Sequence, residues 1–263
     1  MSRLQGNDYH ATLQPQRLAP GLYEFVVSSR TANRVSTFPG AVPQEPNEWP
    51  FQTDTLWTFR VSTPDAPLRL LNPREDYSQL SFVRPGEQYR TAFFQIVPGE
   101  TADESALSLT LPTLGNDTPD RYATALYIGD AIAGRAAQAA RADSLEVKSR
   151  AVGGAHKTLE VTLIEKDGTA WSAAIAAGGT WSTVSIPLST LQFSRSIHIP
   201  SPYPGLWNYW RPSPATRGQN ADQVHIENVE RLQLTVYPNT GERSTTEDGT
   251  GAAVESIRLH FAG

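Results

Sequence analysis

The chain has 263 residues, 39% of them hydrophobic, enough to bury a core, and only 19% charged, too few for a disordered polyelectrolyte. Its formal net charge is −5 with no basic stripe, which argues against nucleic acid as the main partner. It contains no cysteine, so disulfides, thiolate zinc sites, iron–sulfur clusters and a cysteine nucleophile are excluded.

In chain order, the start MSRLQGNDYHATLQ lacks the apolar centre of a signal peptide and reads as the beginning of a fragment cut from a longer chain, or of a mature region. GLYEFVVSS, residues 21–29, alternates as a strand does. TLWTFRVST, 55–63, puts Leu56, Thr58 and Arg60 on one face and Trp57, Phe59 and Val61 on the other. A polar, proline-rich connection separates the two, and TPDAP at 63–67 reads as a junction. We therefore divide the chain into 1–66 and 67–263. A lone hairpin is marginal in water. The first segment is expected either to pack on the main domain or to be the remnant of a preceding immunoglobulin-like domain.

After the junction, strand-like runs recur at 92–98, 106–112, 121–129, 144–151, 157–165, 169–177, 180–188, 229–238 and 254–262. The spacers are turn chemistry: VGGAHK, EKDGT, AGGT, YPNTGER. One alanine-rich stretch, 130–144, breaks the pattern and predicts a short helical segment near 130–142. No period of 20–50 residues is present, and no apolar run of about 18 residues exists to span a membrane as a helix. The pattern predicts an all-β chain: an antiparallel β-sandwich or jelly roll.

Enzyme signatures are missing. There is no Gly-x-Ser-x-Gly elbow, no phosphate-binding glycine loop and no His-Glu-x-x-His. The histidines at 10, 156, 198, 225 and 260 have no ligand-like spacing, and only His198 and His225 flank a feature of interest. Carboxylates lie close in sequence at Glu165/Asp167, Asp222/Glu227 and Glu227/Glu230. The first pair belongs to Glu-Lys-Asp-Gly, first of all a hairpin turn. Glu100, Asp103 and Glu104, with Glu255 on the last strand, are oxygen donors of the kind calcium takes. The alternative for them is a plain solvated loop.

The strongest feature is IPSPYPGLWNYWRPSP, 199–214. Its prolines exclude a helix and a paired strand. A sugar ring offers an apolar C–H face rimmed by hydroxyls. Tyr203, Trp207, Tyr209 and Trp210 supply flat rings for that face, and Asn208, Arg211, Arg217, Asn220 and Asp222 supply directional polar groups for the rim. The alternative is that Trp207 and Trp210 tuck under the loop and close the end of the barrel. A second surface is the concave face of the sheet, where Arg150, Glu165 and Trp171 meet if their strands are neighbours.

The runs SLEVKSRA, KTLEVTLIEKDGTAWSA, GTWSTVSIPLSTL, VERLQLTV and VESIRLHF carry a resemblance. Asp167-Gly168, then Trp181-Ser-Thr-Val184-Ser-Ile186-Pro187-Leu188-Ser-Thr-Leu191, resembles the galactose-binding-like jelly roll of bacterial carbohydrate-binding modules. Val254-Glu-Ser-Ile257-Arg-Leu259 looks like that family's last strand, which runs beside its first. The resemblance covers about residues 67–263. It implies non-catalytic binding of a polysaccharide or oligosaccharide, an attached catalytic domain in a longer secreted parent, an extracellular or periplasmic place and, in many relatives, a structural calcium; no cofactor is required. The rival readings are a polysaccharide lyase or glycosidase on a β-sandwich, and a structural interdomain module.

Overall fold

A computed structural model describes residues 2–3, 9–10, 13–14, 17–30, 32, 35–38, 57–83, 93–111, 122–154, 156–194, 214–219, 221–237 and 250–263. The chain separates into two compact units, Met1–Ala66 and Pro67–Gly263.

Among its described residues the first unit holds three antiparallel pairs. β1 (Ser2–Arg3) pairs with β2 (Tyr9–His10). β3 (Gly21–Phe25) pairs with β6 (Trp57–Val61), and β4 (Val27–Arg30) with β5 (Val35–Phe38). The run 21–29 therefore divides at Val26 between two partners, a change that alternation alone does not reveal. Cross-strand aromatic contacts hold the β3–β6 ribbon: Tyr23 stacks on Phe59 at 5.3 Å, and Phe25 meets Trp57 at 5.5 Å.

The second unit is a sandwich of two six-stranded antiparallel sheets. Its strands are β7 (Leu68–Leu71), β8 (Ser81–Val83), β9 (Phe93–Pro98), β10 (Ser105–Leu111), β11 (Tyr122–Tyr127), β12 (Ala142–Val152), β13 (His156–Glu165), β14 (Ala170–Gly178), β15 (Ser182–Pro187), β16 (Gln192–Ser194), β17 (Val229–Tyr237) and β18 (Thr250–Phe261). The first sheet runs β15-β12-β18-β10-β9, the second β16-β14-β13-β17-β11-β8. The last strand is long enough to serve three partners. Along one edge it pairs with β12. Along the other it pairs first with β10 and then, through Ile257 and Leu259, with β7, the first strand of the unit.

The alternating pattern decides which side chains face the core. On β12, Leu145, Val147 and Ala151 are buried while their neighbours are half-exposed. In the second sheet the register aligns apolar rows: Leu126, Leu232, Leu163, Trp171 and Phe193 in one, Tyr122, Val236, Leu159 and Ile175 in another. These side chains belong to one core with Leu107, Leu109, Ile257 and Leu259 of the facing sheet. Each such leucine or isoleucine contributes about 1.5–3 kcal/mol by burial. The alanine-rich stretch folds as two short helices, α2 (Gly129–Ala133) and α3 (Ala136–Ala139), interrupted at Gly134 and Arg135. α1 (Pro73–Asp76) precedes them, begun by a proline whose missing N–H costs nothing at a first helical turn. Ile132 and Ala139 seat α2 and α3 on the core.

Candidate functional site

The opposite face of the second sheet is not apolar. One cross-strand row reads Ala125, Gln233, Thr162, Ser172, Gln192, and the next Ala123, Thr235, Glu160, Ala174. Toward β11 and β17 these rows are closed: Thr162, Gln233 and Thr235 are fully buried. Toward β14 and β16 they open, with Glu160 half-buried and Ala174 and Gln192 exposed. Buried polar groups need partners. Gln233 Nε2 donates to Thr235 Oγ1 at 3.1 Å and Tyr237 donates its hydroxyl hydrogen to Glu160 Oε1 at 3.3 Å, whereas Thr162 Oγ1 finds none among the described residues.

At the open end lies a groove of about 490 Å³. β16 pairs with β14 only along Ala170–Ser172, so the rest of the β14 edge is left facing the β15 side of the sandwich. Glu160, Ser172, Ser185, Thr190 and Gln192 give the groove hydroxyls, an amide and a carboxylate, and Ile175, Ile186 and Pro187 give it apolar walls. No lysine or arginine is among its described lining residues. Sequence reading did not find these positions. Alternation places Glu160 and Thr162 on one face, but only strand register brings Ser172 and Gln192 beside them.

β16 ends at Ser194, and the aromatic stretch follows it in the sequence. Tyr203, Trp207, Asn208, Tyr209, Trp210 and Arg211 lie outside the described residues. The residues that follow, Arg217 and Asp222, are described, and they join Glu165 and Trp171 in one cluster. The Arg217 guanidinium donates to Glu165 Oε1 at 2.9 Å and Oε2 at 3.1 Å, to Asp167 Oδ2 at 2.8 Å and to Asp222 Oδ2 at 3.0 Å. Glu165 is buried and accepts two further hydrogen bonds, from Trp171 Nε1 at 2.9 Å and from the His225 amide at 3.1 Å. Of these partners only Trp171 belongs to the β13–β14 hairpin; Arg217 and His225 come from the chain that returns after the aromatic stretch. Gly168, at φ +85°, makes the Asp-Gly turn between β13 and β14, and the Thr169 amide donates to Asp167 Oδ1 at 2.8 Å.

The Gly218 amide and the Arg217 guanidinium hold the Asp222 carboxyl below the usual carboxylate range, while hydrogen bonds to Glu165 first and then to Asp222 push Arg217 itself up. Gly218, at φ +74°, packs so closely on Phe193 that a Cβ there would fall 2.5 Å from the ring. Phe193 in turn meets Trp171 edge-on at 5.9 Å. The chain entering the aromatic stretch and the chain leaving it are therefore fastened to one another and to the hairpin floor. Ala221 is held at φ 58°, a conformation that alanine rarely adopts, within the same turn.

Arg150 does not join this cluster. It lies on β12 in the other sheet, its guanidinium 5.2 Å from the Trp181 ring centroid. Of the proposed calcium donors, Asp103 is exposed in the turn before β10, whereas Glu100 and Glu255 share the Lys148 ammonium, at 2.7 and 2.6 Å. Among the described residues no three carboxylate, histidine or cysteine side chains gather as a metal would require. No described helix is long and apolar enough to cross a membrane.

No protein-family model matches the sequence, and no curated protein matches it. Among solved structures it is similar to the family 11 carbohydrate-binding module of a cellulosomal cellulase of Clostridium thermocellum, at 16% identity over 75% of this chain and 95% of that one, with a TM-score of 0.46. It is similar also to an exo-β-agarase, at 13% identity over 74% of this chain and 25% of that one, TM-score 0.43. A family 61 carbohydrate-binding module in complex with β-1,4-galactotriose is similar at 8% identity over 74% and 99%, TM-score 0.35.

Proposed function

We propose that Pro67–Gly263 is a non-catalytic polysaccharide-binding module, and that it takes its glycan along the groove between β14, β15 and β16. The observation that supports this most is the groove's chemistry. Hydroxyl and amide groups from three strands, one carboxylate and a few apolar walls, with no lysine or arginine among the described lining residues, suit a neutral ligand rich in hydroxyls. The buried polar rows extend that surface inward. The aromatic stretch starts from the strand that lines the groove, and its base is pinned by Arg217. On this reading Trp207, Trp210, Tyr209 and Tyr203 stack on sugar faces, with Asn208 and Arg211 at the rim. Arg217 and Asp222 act by fixing the base of the stretch, since their charges are already engaged with one another and with Glu165. The same reading places the chain in a longer, secreted carbohydrate-active protein, whose catalytic domain it would hold at its substrate.

Trp207→Ala and Trp210→Ala test the stacking part. Each is expected to weaken glycan binding about tenfold or more, the equivalent of one lost interaction of 1.4 kcal/mol, with an unchanged melting temperature. Loss of folding instead would show that the rings belong to the core. Release of reducing ends or of unsaturated, ultraviolet-absorbing products from any bound polysaccharide would favour a hydrolase or lyase.

A further inference from the structure

A second charged cluster lies in the first sheet, and it has no part in the groove. Lys148 Nζ is 2.6 Å from Glu255 Oε1, 2.7 Å from Glu100 Oε2 and 3.6 Å from Glu104 Oε2. Three carboxylates therefore face one ammonium. The backbone sets this arrangement. β12 and β18 are neighbours, with Lys148 opposite Ser256, and the register shift that follows leaves Glu255 as an extra residue beside it. The turn before β10 is closed by the Gly99 amide donating to the Glu104 carbonyl at 2.8 Å, and the Glu100 amide donates to Glu255 Oε2, also at 2.8 Å. The turn is pressed onto that carboxylate. A Cβ at Gly99 would fall 2.7 Å from Glu255 Oε2.

Glu255 is only 8% exposed, and a carboxylate so far from water needs a cation. Oxygen donors converging from a turn and a strand are what a hard divalent ion takes. Here the centre is already filled. Hydrogen bonds to Glu100 and then to Glu255 push the Lys148 ammonium above the ordinary lysine range, so it stays charged through neutral pH.

We propose that Lys148 is a built-in cation standing where a divalent ion would otherwise be needed, so that this end of the sandwich is held without calcium. One positive charge faces three negative ones, so removing the ammonium leaves the buried Glu255 carboxylate without its cation, beside the half-exposed Glu100 and Glu104. The inference does not depend on what the groove binds.

Thermal unfolding of Pro67–Gly263 within the full chain, followed in EDTA and in millimolar CaCl2, tests it. The unaltered chain is expected to melt at the same temperature in both. Lys148→Gln is expected to melt lower in EDTA and to rise by roughly 5 °C when calcium exceeds its Kd about a hundredfold. Lys148→Arg, which keeps a cation, is expected to stay indifferent to calcium. If Lys148→Gln does not fold in EDTA, recovery of its β-sheet circular dichroism on adding CaCl2 supports the proposal, and a chain that stays unfolded contradicts it. A calcium response in the unaltered chain, none in Lys148→Gln, or one that survives in Lys148→Gln/Glu255→Gln would each overturn it.

Discussion

Arg217 carries more of the local architecture than any other described side chain around the aromatic stretch. Its guanidinium meets three carboxylates, one of them, Glu165, wholly buried. Breaking such a pair leaves an uncompensated charge in the interior, so Arg217→Met is expected to cost about 3–5 kcal/mol, read as a lower urea midpoint. Adding Glu165→Gln should return part of that loss, because the charge that needed a partner is then gone. The same cluster sets a pH dependence. The Asp222 carboxyl is held below its ordinary value of 3.8 in the folded chain. It therefore stabilises the fold above that value, and the contribution is lost as pH falls through the lower folded pKa. An acid titration of the melting temperature should show this decline below about pH 4, and Asp222→Asn should flatten it. The sequence shows Arg217 and Asp222 as polar residues near an aromatic run, and Glu165 and Trp171 as members of a hairpin. That they form one network is not visible, since nothing in the spacing of 165 and 217 says that a return loop lies over that hairpin.

At the scale of elements, the long strands of the main unit were legible because alternation, Asp-Gly and Gly-Gly turns and apolar content agree over eight or more residues. The short ones were not. Leu68–Leu71, Ser81–Val83 and Gln192–Ser194 are three or four residues long and exist because a neighbour pairs with them. β16 matters most of these, since it lines the groove and begins the aromatic stretch. Lys148 was overlooked for a related reason: in SLEVKSRA it reads as the solvated face of a strand, and only the β12–β18 register sets it beside Glu255. Gly251 shows how tightly β18 is fitted. A Cβ there would overlap the Leu109 carbonyl of β10, which is backbone and has no rotamer to yield. Gly251→Ala should cost about 1–3 kcal/mol or more by forcing those strands apart, with a visible fall in melting temperature.

For the whole molecule, the sandwich supplies an apolar interior between two sheets and leaves the outer face of one sheet polar. That division is the basis of the functional reading. Its buried part rests on side chains that alternate along β13 and β17, and its open part on the place where β16 stops pairing with β14. The sequence showed the ring-bearing stretch that follows β16 but not the groove beside it, which forms only once β13, β14 and β16 are in register and β15 of the facing sheet lies beside them. The most direct test is affinity electrophoresis of the unaltered chain and of Gln192→Ala, side by side, through gels holding neutral plant, algal and microbial polysaccharides. The account predicts that at least one neutral polysaccharide retards the unaltered chain, and that Gln192→Ala loses about tenfold in affinity at an unchanged melting temperature. No retardation across the panel, or equal retardation of the two proteins, would contradict it.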